Sequence, residues 1–235
     1  MFGDSNPIYE FRGPWGIPVQ IGSSIIFLFF LFVSFSHGGS ALAYDLAFLA
    51  IVIGSIFLHE LGHAWGSLIQ GVRVSRIMIH GGGGFCERSV SATRHQQELI
   101  VAMGPLVNIS LWALASLAET TAYHFGVPYN NFTWALGNIA MVNGFLAIFN
   151  MIPVQPLDGG KLFELVLARW LRPGMATYIA GAVGVVIAVL WIPMMIGAYY
   201  LLGFVLLFLP TPRANLAMMR QGQAVRSSLQ TRQGG

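Results

Sequence analysis

Apolar residues form six runs along the chain, and polar residues separate them. The runs lie at about 17–36, 42–70, 97–120, 132–152, 174–192 and 194–209. Pro193 divides the last two runs. Because a helix needs about 20 apolar residues to cross the hydrocarbon core of a bilayer, each run predicts a transmembrane helix. The pattern therefore predicts an all-α polytopic membrane protein with six spans.

The composition excludes an ordinary soluble domain. Hydrophobic residues make up 55% of the 235 residues and charged residues only 9%, whereas about 25% of a typical soluble domain is charged. The net charge of +3 gives no reason to expect nucleic acid as a partner, since the basic residues are scattered between apolar runs. Cys86 is the single cysteine, so an internal disulfide is excluded.

The positive charges indicate how the six predicted spans are oriented. If both termini are cytoplasmic, all 12 Lys and Arg residues fall in the N-terminal segment, the second and fourth loops and the C-terminal tail. Short cytoplasmic loops are enriched in Lys and Arg, so this distribution favours both termini inside. We predict a membrane core over residues 1–210 and a short basic cytoplasmic tail over residues 211–235, too short to be a folded domain.

The second loop predicts a small β-structure at the cytoplasmic surface. Residues 72–80, VRVSRIMIH, show an interrupted strand-like alternation, and GGGG at 81–84 is typical of a turn. We therefore expect a β-hairpin or small sheet between the second and third spans. One hypothesis is that the 72–80 strand pairs with an extended substrate. Further on, residues 157–174 predict a short amphipathic helix, in which Lys161 and Glu164 can pair across one turn.

The residues that can carry chemistry come at the end of the second run. His59 and His63 are four positions apart, so on a helix both imidazoles project from one face. His-Glu-x-x-His is a zinc signature in which the imidazoles bind the ion and the glutamate, here Glu60, takes a proton from water at the metal. The alternative is a polar helix end at the interface. The uncharged stretch 46–58 covers about 20 Å of helix, so the metal would lie inside the membrane, nearer the cytoplasm.

A hydrolytic zinc needs a third protein ligand. The candidate segment is NMIPVQPLDGG at 150–160, which follows the fourth run and contains prolines that stop a regular helix. Asp158 lies in this segment beside Gly159 and Gly160, which permit a close approach of other groups. Asp158 can instead be the N-cap of the helix that follows, and the two roles are compatible.

Three motifs resemble those of the site-2 protease family of intramembrane zinc metalloproteases: HELGH at 59–63, GPLVN at 104–108 and NMIPVQPLDGG at 150–160. The resemblance implies a six-span proteolytic core with one catalytic Zn2+, held by His59, His63 and Asp158. It also implies that Glu60 is the catalytic acid/base and that Asn150 hydrogen-bonds the substrate or the oxyanion. Many family members add a PDZ domain or a nucleotide-binding CBS domain, and we expect a core-only member without either.

Other polar and small residues have a structural interpretation. Gly104, Pro105 and Asn108 are interpreted as packing residues of the third span, because small residues allow close helix contact and a buried Asn can bond across helices. Cys86 and His80 are candidates for occupying the open coordination position of the zinc ion in a resting state of the protein. A reduced cysteine and an interfacial histidine explain these two residues adequately.

We predict a zinc metalloendopeptidase that cleaves in or near transmembrane segments of membrane-protein substrates, in regulated intramembrane proteolysis. A different type of membrane zinc protease would use a glutamate as third ligand, and Glu164 is the only acid after Asp158. A non-enzymatic zinc-binding membrane protein or a metal transporter is the alternative from another class. The expected partners are the bilayer and the substrate, in the bacterial inner membrane with the active-site opening on the cytoplasmic side.

Overall fold

The computed structural model describes residues 7–34, 39–202 and 210–233. In chain order they form β1 (Pro7–Arg12), β2 (Pro18–Gly22), α1 (Ile26–Phe32), α2 (Gly39–Leu68), β3 (Val74–His80), β4 (Gly83–Arg88), α3 (Arg94–His124), α4 (Asn131–Asn150), α5 (Asp158–Leu167), α6 (Pro173–Leu202) and α7 (Pro212–Gln233). Two short 3-10 turns, Pro14–Gly16 and Ser23–Ile25, flank β2. The chain divides into two compact units, Met1–Ile148 and Phe149–Gly235.

Four helices among the described residues are long and apolar enough to cross a membrane. They are Ala41–Leu68, Arg94–His124, Asn131–Asn150 and Gly174–Gly197. Large apolar side chains on these helices are exposed, including Leu114 at 65%, Leu117 at 66% and Val189 at 60%. Contiguous apolar surface of this kind is unfavourable in water and is compatible with lipid hydrocarbon. The described part of the chain therefore has four such helices and a small sheet, where the sequence predicted six spans.

The first predicted span, 17–36, is wrong in its first part. Pro18–Gly22 is strand β2, and only the 7 residues Ile26–Phe32 are α-helical. A proline and a glycine at the two ends of this stretch disfavour a helix, and the residues between them pair with β3 instead. Helix α1 is too short to cross the hydrocarbon core. Residues 35–38 lie outside the described part of the chain.

The predicted division at Pro193 is also wrong. Helix α6 runs without a break from Pro173 to Leu202 and contains Pro193 in its interior. Proline removes one backbone hydrogen bond, but apolar membrane helices tolerate it because ending the helix would leave more backbone groups unpaired in hydrocarbon. The fifth predicted span and the described part of the sixth are therefore one helix. Residues 203–209 lie outside the described part.

The first unit contains a four-stranded sheet in the order β1-β2-β3-β4. The pairing of β3 with β4 is antiparallel, which confirms the predicted hairpin, and Gly83 and Gly84 of the GGGG run belong to β4 itself. Strand β2 pairs in parallel with the other side of β3. Since Ile77–Ile79 of β3 have a partner strand on both sides, this stretch is not free to pair with a substrate as the hypothesis for the 72–80 strand required. Among the described residues, β4 is the edge strand on the hairpin side of the sheet.

Helix α2 connects the sheet to the other helices of the first unit. It packs on β3 and β4, and its apolar face joins Ile77 and Ile79 of the sheet in one buried core. It ends in a Schellman motif, because Val72 N–H donates to Ser67 O and Gly71 N–H donates to Leu68 O. Gly71 has a φ of +72°, so it is the C-terminal cap of α2.

Helices α2 and α3 lie unusually close together. A Cβ at Gly62 would lie 2.7 Å from Met103 O, and a Cβ at Gly66 would lie 2.7 Å from Met103 Cγ. Two glycines four positions apart therefore let the backbone of α3 approach α2, as in other membrane helix pairs.

Helix α3 begins with a capping box, in which Thr93 and Gln96 satisfy each other's backbone N–H groups.

The second unit is built on the pairing of α6 with α7. The sequence predicted residues 211–235 as a basic tail, but Pro212–Gln233 is helix α7. A Cβ at Gly181 of α6 would lie 2.6 Å from Met219 N, and a Cβ at Gly222 of α7 would lie 2.5 Å from Tyr178 N. The polar composition of residues 211–235 did not indicate this packing. Helices α6 and α7 meet through the backbone at glycines and not through a run of apolar side chains.

We predict that Gly62→Ala lowers the stability of the first unit. The new Cβ would meet a backbone carbonyl that cannot rotate away, so we expect a loss of about 1–3 kcal/mol in the free energy of unfolding, as for overpacking elsewhere. Thermal unfolding in detergent micelles, followed by tryptophan fluorescence, measures the change in Tm. Gly54→Ala is the control on the same helix, because no heavy atom among the described residues lies within 4 Å of its Cβ. Equal Tm values for the two variants would contradict the close α2–α3 contact.

Candidate metal centre

Two histidines on α2 form the centre of the candidate site. His59 and His63 are only 6% and 9% exposed, and their Nε2 atoms lie 3.1 Å apart. The rings meet edge to face, with 4.7 Å between their centroids. The prediction that spacing by four positions brings both imidazoles to one helix face is confirmed.

The protonation of His59 follows from a chain of buried hydrogen bonds. Asn143 Nδ2 donates to the carbonyl oxygen of Ile139 and to Ser55 Oγ, at 2.9 Å in each case. Its Oδ1 therefore accepts from Asn108 Nδ2, at 2.7 Å. Asn108 Oδ1 then faces His59 Nδ1 at 2.5 Å. Because this oxygen only accepts, His59 carries its proton on Nδ1 and keeps a lone pair on Nε2.

His63 has the same tautomer for a simpler reason. Its Nδ1 lies 2.8 Å from the carbonyl oxygen of Ile100, which can only accept. Both Nε2 lone pairs are thus directed to the space between the two rings. Two converging lone pairs repel each other unless they share a cation, so the 3.1 Å separation is not a hydrogen bond between neutral imidazoles.

The separation of the two Nε2 atoms fits zinc. Zn–N bonds of about 2.0–2.1 Å in tetrahedral geometry hold two nitrogen ligands about 3.3–3.4 Å apart. The observed separation is 3.1 Å. Metal-binding histidines commonly donate the other ring N–H to an oxygen, which sets the tautomer and the ring orientation, and both histidines do so here. The donor set in the first unit is therefore suited to a zinc ion.

Glu60 lies on α2 next to the histidine pair and is 5% exposed. Strand β4 packs directly on it, because a Cβ at Gly84 would lie 2.6 Å from Glu60 Cγ and 2.9 Å from Glu60 Oε1. The sequence predicted only a turn for this glycine run. The structure shows that Gly84 lets the hairpin backbone approach the buried carboxyl group.

His80 and Cys86 lie on the same hairpin as Gly84. His80 Nδ1 accepts a hydrogen bond from Gly82 N–H at 3.1 Å, and burial lowers the pKa of His80, so the neutral ring closes the turn. Burial, and secondarily the Glu60 carboxyl group, raise the pKa of Cys86 to about 12. In the metal-free protein the thiol is therefore protonated at neutral pH, and it is a poor nucleophile. These features favour the structural interpretation of both residues over metal blocking.

Asn150 and Asp158 belong to the second unit. Asn150 is the last residue of α4 and Asp158 is the first residue of α5. The N-cap of α5 is Leu157, and that cap position makes no side-chain hydrogen bond. The alternative in which Asp158 is the N-cap is therefore wrong. Half-buried at the start of α5, Asp158 remains the predicted third ligand.

The glycines after Asp158 permit the close approach that the sequence predicted. A Cβ at Gly159 would lie 2.5 Å from Ile152 O, and a Cβ at Gly160 would lie 2.9 Å from Gln155 N. The start of α5 is thus packed directly on the backbone of the segment before it.

Glu164 accepts hydrogen bonds from side chains of α5 and α6. The predicted pair with Lys161 is confirmed at 2.8 Å, and Thr177 Oγ1 also donates to Glu164 Oε1 at 2.8 Å. These two partners make Glu164 a poor candidate for a metal ligand.

Sequence reasoning missed the residues that orient His59. Asn108 and Gly104 were interpreted as packing residues, and Asn143 and Ser55 were not singled out. Gly104 does pack closely, but against the site: a Cβ there would lie 2.5 Å from His63 Cε1 and 2.7 Å from His59 Nε2. The available signal was the presence of Asn108 and Asn143 within apolar runs, since polar residues there are costly and usually functional.

We predict that Asn108→Ala weakens zinc binding by about 10–100-fold, the usual effect of losing a partner of a metal-bound histidine. Without Asn108 Oδ1, His59 loses the acceptor that sets its tautomer. Zinc retained after dialysis against a graded series of chelator concentrations, measured by inductively coupled plasma mass spectrometry, gives the change. Ser110→Ala is the control on the same helix, because Ser110 Oγ donates only locally to Leu106 O. If the two variants retain zinc equally, Asn108 does not orient a metal ligand.

The chain is similar to several known proteins. It is 24% identical over 169 residues to a zinc metalloprotease of Methanocaldococcus jannaschii, which covers 72% of this chain and 48% of that protein. It is 31% identical over 119 residues to stage IV sporulation protein FB of Bacillus subtilis, covering 49% of this chain and 38% of that protein. The chain thus spans less than half the length of these curated relatives.

The fold has a counterpart among solved structures. A site-2 protease from Methanocaldococcus jannaschii matches with a TM-score of 0.57 and 18% identity, over 92% of this chain and 94% of that chain. This likeness confirms the predicted resemblance at the level of the fold. The family model of peptidase family M50 matches this sequence over residues 47–126 and 127–192. The match covers more than half of the sequence and includes all the predicted site residues. The chain belongs to peptidase family M50.

Proposed function

We propose that this protein is a zinc metalloendopeptidase that hydrolyses peptide bonds of membrane proteins within the bilayer. The observation that carries the proposal is the histidine pair on α2. Its two Nε2 lone pairs converge at 3.1 Å, and a buried glutamate lies beside them in the chain. Membership of a peptidase family and relatives that are named zinc metalloproteases support the same activity.

We infer that His59, His63 and Asp158 hold the zinc ion. Two neutral imidazoles and one carboxylate are a donor set that zinc enzymes use, with a further position left for water or substrate. Asp158 enters this set because of the family motif at 150–160 and its position at the start of α5. When bound, zinc supplies Lewis acidity that activates water and polarises the substrate carbonyl.

Glu60 is the proposed acid/base. Its carboxyl group accepts the proton of the attacking water and returns it to the leaving amine, which is general base and then general acid catalysis. The low exposure of Glu60, 5%, keeps bulk water from competing for this proton. Asn150, at the end of α4, is the proposed donor to the substrate or the oxyanion.

The position of the histidines on a long apolar helix supports cleavage inside the bilayer. His59 and His63 lie in the membrane-length helix Ala41–Leu68. The substrate would be a transmembrane helix of another protein, and it must unwind locally because helical hydrogen bonds shield the scissile carbonyl. An unwound strand has unpaired backbone groups, and the open edge of β4 offers partners for them. This assignment replaces the one made for β3.

The biological setting belongs to the same proposal. Segments 69–93 and 151–172 hold Arg and Lys residues, whereas 125–130 holds none. Short cytoplasmic loops are enriched in these residues, so the active site would open to the cytoplasm of a bacterial inner membrane. Products would leave on that side, which fits the release of a cytoplasmic regulator in regulated intramembrane proteolysis. A metal transporter has less support, because it would not need Glu60 beside the histidines, and the buried polar residues of α2 and their partners gather around His59.

The decisive test of the activity is Glu60→Gln. The variant keeps the size of the side chain and removes the proton acceptor, so we expect wild-type zinc content with at least about a hundredfold loss of cleavage. Cleavage of a co-expressed membrane substrate is followed by immunoblotting, and zinc by mass spectrometry of the purified protein. Full cleavage by Glu60→Gln would remove Glu60 as the base. Zinc binding without cleavage of any substrate by the wild type would favour the non-enzymatic alternative.

Asp158→Ala tests the third ligand. We expect lower zinc occupancy, because loss of a carboxylate ligand leaves only two protein donors for the ion. Glu164→Ala is the control acid on the same helix, since Glu164 is paired with Lys161 and Thr177. Full occupancy in Asp158→Ala would exclude Asp158 from the ligand set.

A further inference from the structure

A buried asparagine on α7 binds the backbone just ahead of Asp158. Asn215 is 1% exposed. Its Oδ1 accepts from Gln155 N–H at 3.1 Å, and its Nδ2 donates to Gln155 O at 3.4 Å and to Thr211 O at 3.3 Å. One side chain thus pairs with both backbone groups of Gln155, as a neighbouring strand would.

Gln155 needs such a partner because of the segment in which it lies. Pro153 and Pro156 have no N–H group and prevent a regular helix. Other amides of the segment donate within it, Val154 to Ile152 O and Leu157 to Val154 O, whereas the Gln155 amide donates to Asn215. In apolar surroundings an unpaired peptide group is costly, so the contact stabilises this conformation of the segment.

Close packing couples the position of Asp158 to that of Gln155. A Cβ at Gly160 would lie 2.7 Å from Val154 C and 2.9 Å from Gln155 N. The first turn of α5 therefore rests on the peptide that Asn215 holds. Asp158 lies between these two points in the chain, three residues after Gln155, so its backbone moves if Gln155 moves.

Asn215 is itself held by helix α6. A Cβ at Gly184 would lie 2.7 Å from Asn215 Cγ, so the glycine leaves the room that the amide occupies. The Gly181 and Gly222 contacts described above bring the two helix backbones together over the next two turns of α7. The amide is therefore held against Gln155 by two packed helices.

We propose that α7 is a positioning element for the metal site and that Asn215 is its positioning residue, acting on Asp158 through Gln155. The proposal rests on the proposed function in one respect, the assignment of Asp158 as third ligand. Asn215 bonds to Gln155 and Thr211 and is not itself a proposed ligand. Asn215 holds the Asp158 backbone in place before metal binds. The segment therefore loses less conformational entropy on metal binding.

The test uses the full-length protein in detergent and zinc alone as the probe. Asn215→Ala removes the amide, and Asn215→Leu removes it while keeping most of the side-chain volume. We expect both to lower zinc affinity about tenfold, the lower end of the effect of losing a supporting partner, measured by competition with a chromophoric chelator well below Tm. In the metal-free protein, we expect faster hydrogen exchange in the peptide that contains Gln155 and Leu157.

Glycine variants of α6 provide a second route with a matched control. Gly184→Ala places a methyl group against Asn215 and should reproduce both effects. Gly197→Ala lies on the same helix, where no heavy atom among the described residues would be within 4 Å of the new Cβ, and it should behave as wild type. A purely structural role for Asn215 would lower Tm without changing zinc affinity or local exchange, and that result would overturn the proposal.

Asp158→Ala, measured in parallel, separates this proposal from the proposed function. If Asp158→Ala loses zinc while the Asn215 and Gly184 variants bind it as tightly as wild type, the positioning role is wrong and the ligand assignment stands. If Asp158→Ala binds zinc as tightly as wild type, the ligand assignment is wrong, and the positioning role falls with it.

Discussion

The site depends on one constraint, which is that a polar group buried among apolar helices must have a partner. His59 meets this constraint through Asn108, Asn108 through Asn143, and Asn143 through a carbonyl oxygen of its own helix. Each step leaves only one arrangement of donors and acceptors. The result is an imidazole with a defined tautomer, so the orientation of this candidate ligand is a property of three packed helices and not of one side chain.

Glycine performs the complementary task wherever two backbones must approach each other. Gly62 and Gly66 bring α3 to α2, Gly84 brings the hairpin to Glu60, and Gly181 brings α7 to α6. In lipid, helices gain little from burying apolar side chains against each other, so close packing and hydrogen bonds across the contact provide the stabilisation. The segments HELGH and LDGG, which hold the proposed zinc ligands, both carry glycines of this kind next to their polar residues.

Local features of the chain were predictable from the sequence, and contacts between distant segments were not. The spacing of His59 and His63 depends on one helix alone, and the prediction that both imidazoles lie on one helix face is confirmed. Strand β2 was predicted as part of a span because its parallel partner, β3, lies far along the chain. Helix α7 was predicted as a tail because its apolar surface is small and its packing uses glycines. Asn108 was visible as a buried polar residue, but its partner depends on how α2 and α3 meet.

The partner of His59 is an amide, and this has a consequence for how the site responds to pH. A carboxylate in the same place would gain or lose a proton as conditions change, and the acceptor on Nδ1 would change with it. Asn108 and Asn143 do not titrate in the physiological range, and the relay ends on a peptide carbonyl. The partners of His59 are therefore uncharged and keep the same donors and acceptors as the pH changes. In the proposed mechanism, proton transfer falls to Glu60 and not to these partners.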